Sequence, residues 1–384
     1  MSSKIYPIGI QNFESLRKDG FFYIDKTEII YRLVKTGRYY FLSRPRRFGK
    51  SLLISTLEAY FQGKKELFQG LAMEQLEKEW KRYPVLHLDL NIEKYDIPDS
   101  LDKILNNNLT RWEELYGAES SETSFSLRFA GVIRRACEQT GQRVAILIDE
   151  YDKPLLQAIG NHELQQAFRS TLKPFYGVMK TMDGCIKFAL LTGVTKFGKV
   201  SVFSDLNNLD DISMQEMFID ICGVTGQEIH DNLEEELHEL ASANGMTYDE
   251  VVAELKACYD GYHFTENSIG IYNPFSLLCT FKYNKFGSYW FETGTPTYLV
   301  ELLKRYHYDL EHMAHAETYA DVLNSIYGDE EPLPVIFQSG YLTIKDYDKE
   351  FGLYRGGRGV RQVPHTLLYP LQQDRGSFRD TEVC

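Results

Sequence analysis

At 384 residues, 43% hydrophobic and 25% charged, the chain has the balance of a globular protein and length for about two or three domains. Its formal net charge of −13 disfavours nucleic acid and acidic membranes as partners, except at a local basic groove. No uninterrupted apolar run approaches the ~20 residues of a membrane-spanning helix, and Met1–Ile5 opens no signal peptide, so a cytoplasmic protein is expected. The six cysteines (Cys137, Cys185, Cys222, Cys258, Cys279 and Cys384) form no C-x-x-C pair and read as reduced.

Residues 5–24 are irregular, punctuated by Pro7, Gly9 and Gly20. Asp25 or Thr27 then caps a helix over 28–35, with Ile29, Ile30, Leu33 and Val34 on one stripe. A cap is preferred to a catalytic role for Asp25. Tyr39–Ser43 reads as a strand, and Leu52–Leu57 as a helix. Between them stands Arg44-Pro45-Arg46-Arg47-Phe48-Gly49-Lys50-Ser51, a strand–loop–helix layout ending in Gly-Lys-Ser. The unpaired N–H groups and dipole of a helix start favour an anion, and a lysine there adds a full charge. Arg46, Arg47, Phe48, Gly49, Lys50, Ser51 and Leu52 are therefore the candidate phosphate cradle, with Ser51 offering its hydroxyl to a magnesium ion. One position departs from the usual pattern: Arg44 stands where a glycine is expected.

A charged helix is expected over 73–80 and a strand at 85–90, leaving Asp89 and Asn91 near the ligand end of a parallel sheet. His87 within that strand reads as a packed side chain. Two helices follow over 100–140. Val144–Ile148 is an apolar run typical of a strand buried on both faces, and two acids, Asp149 and Glu150, close it. A helix over 163–182 is interrupted by Pro174, where a kink or break is expected. Another buried strand, Ile186–Leu191, runs into Thr192.

Alternating strands and helices imply an α/β three-layer domain with a mainly parallel sheet over residues 1–211. Residues 212–354 read as a mostly helical, winged-helix-like or lid region. Its charge run Leu233-Glu234-Glu235-Glu236-Leu237 suggests a solvated face, and 295–327 reads as helical. From Arg355 the composition turns Gly/Arg-rich, and 355–384 is expected to be a disordered tail.

The pairing of Asp149-Glu150 with the upstream loop is the second nucleotide signature. Asp149 is the expected acceptor at magnesium beside Ser51, and Glu150 the group that polarises an attacking water. Lys50 and Thr192 complete the catalytic candidates, Thr192 as a sensor of the terminal phosphate. Lys196 and Lys199 in the loop that follows are further phosphate candidates, with solvated lysines as the ordinary alternative.

Together with Tyr23–Thr27, Asp260-Gly261-Tyr262 and Tyr272–Leu277, these motifs resemble the AAA-ATPase-like family of bacterial proteins over about residues 5–354. The resemblance implies an ASCE-type P-loop domain, ATP and Mg2+ as ligands, and arginine as an ordinary occupant of the position held by Arg44. Many members of that family carry a C-terminal PD-(D/E)XK nuclease-like domain. Its Asp and Glu-x-Lys arrangement is not found here, so nuclease activity is not expected. The leading expectation is magnesium-dependent ATP binding with slow hydrolysis that drives a conformational change. The alternatives are an ATP-binding regulatory or interaction module without turnover, associated with a nuclease-like partner or domain, and a P-loop kinase; a protein partner or a homo-oligomer is the further partner expectation.

Overall fold

The chain's structure, a computed structural model, describes residues 4–196, 202–203, 208–265, 269–292, 317–323, 333–348 and 353–358. Helix α1 (Phe13–Lys18) and helix α2 (Thr27–Thr36) precede the first strand. The apolar stripe of α2 is buried as its spacing requires. Lys26, not Asp25 or Thr27, is the N-cap residue of α2, but Asp25 accepts the first N–H group of two helices. One carboxylate oxygen accepts the Thr27 N–H at 2.8 Å, and the other accepts the Ala72 N–H at 2.7 Å.

Strand β1 (Tyr39–Ser43) leads through the Gly-Lys-Ser loop into α3 (Lys50–Phe61). The charged helix expected over 73–80 is only α4 (Ala72–Leu76). Strand β2 (Val85–Asp89), α5 (Asp99–Tyr116), α6 (Phe125–Thr140) and β3 (Val144–Asp149) follow. Next come α7 (Lys153–Gln157), α8 (His162–Thr181) and β4 (Ile186–Gly193). Pro174 does not break α8, because burial of Phe168, Leu172, Phe175 and Tyr176 against the sheet outweighs the missing N–H donor.

A fifth strand, β5 (Asp210–Asp211), is too short and acidic to read from sequence. The strands pair in parallel in the order β2-β3-β4-β1-β5. Alternate residues of β3 feed two cores. Val144, Ile146 and Ile148 face α5, α6 and α8, while Ala145 and Leu147 face α3. Each fully buried large aliphatic side chain contributes about 1.5–3 kcal/mol, which is why these strands read as continuous apolar runs.

His87 of β2 is a packed residue, as expected. Its Nδ1 lies 3.0 Å from Glu58 Oε2 on α3. Burial lowers the His87 pKa, but the Glu58 carboxylate outweighs it and the net shift is upward. The imidazolium contact therefore stabilises fully below the unfolded histidine pKa and fades as pH rises through the folded one. The Tm advantage of wild type over His87→Gln is expected to shrink as pH rises above about 6.5. A pH-independent difference in thermal scans would refute this.

Beyond the parallel sheet, β6 (Val224–Thr225), β7 (Asp260–Tyr262) and β8 (Ile271–Tyr272) form a small antiparallel sheet among the helices Gly226–Asn244, Tyr248–Tyr259 and Pro274–Tyr283. The expected solvated face holds at Glu234 and Glu235 but fails at Glu236. That carboxylate is 2% exposed and pairs with Lys4 Nζ at 2.8 Å. Most of the helix expected over 295–327 lies outside the described residues, and within it Glu317–Tyr319 is strand β9. Strand β10 (Leu342–Asp348) pairs antiparallel with β11 (Leu353–Arg358), a hairpin that the apolar run at 341–344 and Leu353-Tyr354 suggest in the sequence. It also corrects the expected disorder at Arg355–Arg358, which cross-strand pairing recruits into the sheet. The remainder of the tail lies outside the described residues. Among them, no helix is long and apolar enough to cross a membrane.

Candidate functional site

The Gly-Lys-Ser loop leaves β1 at the sheet's C-terminal edge and turns sharply before α3. Gly49, at φ +96°, is the residue before the helix, and Arg47 also has positive φ at +66°. A side chain at Gly49 would strain that turn, since only glycine adopts it freely. Lys50 is buried at 4% exposure. Its ammonium donates to the carbonyls of Arg44 (3.1 Å) and Pro45 (3.4 Å) and pairs with Glu150 Oε1 at 3.2 Å.

Strand order makes this meeting happen. Because β4 lies between β1 and β3, the end of β4 separates the loop from the acidic pair. Thr192, fully buried there, donates its hydroxyl to Asp149 Oδ1 at 2.5 Å. The hydroxyl of the expected phosphate sensor thus rests on Asp149 in this structure. Glu150 has φ +56°, an uncommon conformation for a side-chain-bearing residue, at the turn out of β3.

Asp152, not singled out from sequence, ties the turn after β3 to the turn after β4. Its carboxylate accepts the N–H groups of Val194 (3.2 Å) and Thr195 (2.7 Å) and the Thr195 hydroxyl (2.8 Å). Burial and then the neighbouring Glu150 charge raise its pKa above the ordinary aspartate value. Gly193 permits the close approach, since a Cβ there would lie 2.6 Å from Asp152 Oδ1 and from the Tyr151 ring. The spacing Asp149-x-x-Asp152 was the available signal, but it reads equally well as a helix cap.

Arg44 is not part of the cradle. Its guanidinium is 1% exposed and points away from the loop, donating to the carbonyls of Ser43 (3.0 Å), Ser213 (2.6 Å) and Ile219 (3.2 Å) and stacking over Phe264 at 4.1 Å. Burial lowers its pKa to about 10. Restoring the usual pattern with Arg44→Gly would orphan those carbonyls and is expected to cost about 3 kcal/mol. Urea unfolding within about 0.5 kcal/mol of wild type would count against this.

Phe48 likewise contributes only backbone. Its ring is buried against Tyr262 and Phe264. The outer side of the loop is held by two further donors, the Trp290 indole N–H to the Arg46 carbonyl (3.0 Å) and the Gly223 N–H to the Phe48 carbonyl (3.1 Å). Lys196 is buried and pairs with Asp211 at 2.8 Å, and Lys199 lies outside the described residues.

A cavity of about 620 Å3 opens over the loop. Arg46, Arg47, Gly49, Lys50, Ser51, Leu52 and Glu150 line it, together with Lys153 and Asn91. The N-terminal segment Pro7–Gln11 and Pro274, Phe275 and Leu278 close it. Five cationic side chains line it against two acidic ones, on a chain whose net charge is −13. The field inside therefore favours an anion.

Residues 7–203, just over half of the chain, match the family model described as Predicted AAA-ATPase. The chain belongs to this family. The family's description is that of a nucleotide-binding, ATPase kind of protein. An uncharacterized protein from the vnfD 5' region of Azotobacter chroococcum mcd 1 is 39% identical over 351 residues. That alignment covers 90% of this chain but 65% of the relative, so the chain spans less than two thirds of its relative's length. The Aeropyrum pernix ORC1 protein, solved in complex with DNA, aligns over 91% of this chain and 92% of its own. Its TM-score is 0.31 and its identity 11%, a likeness too loose to carry an argument.

Proposed function

We propose that this AAA-ATPase-family chain binds ATP with Mg2+ and hydrolyses it slowly in the cavity over residues 46–52. The observation that carries the reading is the excess of cationic over acidic side chains lining that one cavity of a strongly acidic chain. The loop's N–H groups and Lys50 would hold the β- and γ-phosphates, with Arg46 and Arg47 at the rim. A narrower, apolar extension of about 110 Å3, lined by Leu52, Leu53, Cys222, Val224, Pro274 and Leu278, offers a place for the base.

Ser51 and Asp149 suit magnesium, which takes one or two protein oxygens and fills its remaining sites with phosphate and water. Magnesium would neutralise phosphate charge there. Asp149 is oriented for this by Thr192. Glu150 would accept the proton of the attacking water. Lys50 would exchange its contact with Glu150 for phosphate, releasing that carboxylate for the water. The loop's outer contacts with Trp290 and Gly223 suggest how nucleotide state would reach residues 212–292.

Isothermal titration of the full chain tests the reading. Saturable Mg-ATP binding accompanied by steady phosphate release without an added acceptor supports it. No binding would overturn it, and phosphate release only with an acceptor would favour a kinase.

A further inference from the structure

We infer that Lys153 is a second phosphate-contacting catalytic residue, acting on the terminal phosphate from beside Glu150, with Asn91 as its positioning residue. The inference rests on the nucleotide reading above and adds a residue to it. Lys153 opens α7, and its backbone N–H donates to the Glu150 carbonyl at 3.1 Å, so it sits beside the water-polarising candidate.

Its ammonium is met by the Asn91 carbonyl at 2.5 Å and the Asn91 side-chain oxygen at 2.9 Å, both neutral. Among the described residues no carboxylate lies within ion-pair distance of it. The other lysines of this cavity differ: Lys50 has Glu150 at 3.2 Å, and Lys94 has Asp96 at 2.7 Å. Burial lowers the Lys153 pKa and the Arg46 charge adds to this, while Glu150 and Asp89 oppose it. A half-buried cation whose direct contacts are neutral oxygens gains from an anion placed in the cavity.

In the reaction, the water oxygen bonds to the terminal phosphorus and the bond to the β-phosphate bridging oxygen breaks. The products are ADP, inorganic phosphate and a proton, the last accepted by Glu150. Lys153 keeps its own protons throughout and donates hydrogen bonds to the terminal phosphoryl oxygens. Arginine fingers do this work in other P-loop enzymes. Asn91 fixes the ammonium at the wall, so that little rearrangement is needed to reach phosphate.

The test compares the full chain with Lys153→Gln, Lys153→Arg and Asn91→Ala, measuring affinity for Mg-ADP and Mg-ATP and the rate of phosphate release. Lys153→Gln is expected to keep Mg-ADP affinity, weaken Mg-ATP binding about tenfold, and slow release about 10²–10³-fold. Lys153→Arg should recover part of that loss. Asn91→Ala should slow release about tenfold with Mg-ADP affinity unchanged.

If the unaltered chain binds and hydrolyses ATP while Lys153→Gln matches it in both Mg-ATP affinity and rate, the inference is overturned alone. If the unaltered chain binds no Mg-ATP, the nucleotide reading falls and the inference with it. Should Lys153→Gln fail to fold, the Asn91→Ala and Lys153→Arg rates decide. Wild-type rates in both overturn the inference.

Discussion

Replacing Lys50 by alanine is expected to weaken Mg-ATP binding by about 100-fold or more. A charge-assisted hydrogen bond is worth about 1.5–3 kcal/mol, and a lysine at this place would make more than one, to two phosphates. Each 1.4 kcal/mol is a tenfold change in affinity. The substitution also leaves Glu150, 18% exposed, without its ammonium partner, so a carboxylate would then face the incoming phosphate. Two effects therefore act in the same direction. Circular dichroism should show an intact fold, because the α3 residues packed in the core, Leu53, Ile54 and Leu57, are untouched. Equal affinity for Mg-ATP in the variant and wild type would refute the assignment of this loop as the phosphate site.

Glu150→Gln is expected to separate binding from turnover. The amide keeps the shape of the side chain but cannot take a proton, and general-base catalysis is worth about 10²–10⁴-fold. Phosphate release should fall by that factor while Mg-ATP affinity holds or rises, since one negative charge leaves the cavity. The backbone at Glu150 keeps its positive φ in the variant, so folding is little affected. Release at the wild-type rate would instead favour a module that binds ATP without turnover. Any residual rate would then belong to slow hydrolysis without a protein base.

Much of the parallel-sheet region was legible in the sequence for a simple reason. Strands buried on both faces must be apolar throughout, so β1, β3 and β4 announce themselves within a residue or two of their bounds. Segments governed by cross-strand pairing were not legible. Strand β5 is two aspartates, and the last four residues of β11 are Arg-Gly-Gly-Arg. Neither has strand composition, and each is a strand because a neighbouring backbone offers hydrogen bonds. Glu236 was misread for a related reason. Its burial depends on Lys4, 232 residues away, and no local charge pattern signals such a partner.

The sequence by itself determined that a Gly-Lys-Ser loop follows one buried strand and that an Asp-Glu pair closes another, because loop geometry and strand burial are local demands. Only the tertiary structure decided what those residues touch. Inserting β4 between β1 and β3 gives the Thr192 hydroxyl to Asp149 and Glu150 to Lys50. The same packing sends Arg44 away from the loop into the carbonyls of 213–219, because a turn that needs no side chain there leaves the guanidinium free to stitch β1 to the next segment. Strand order and side-chain direction arise from contacts between residues far apart in sequence, and a one-dimensional pattern does not encode which of these contacts form.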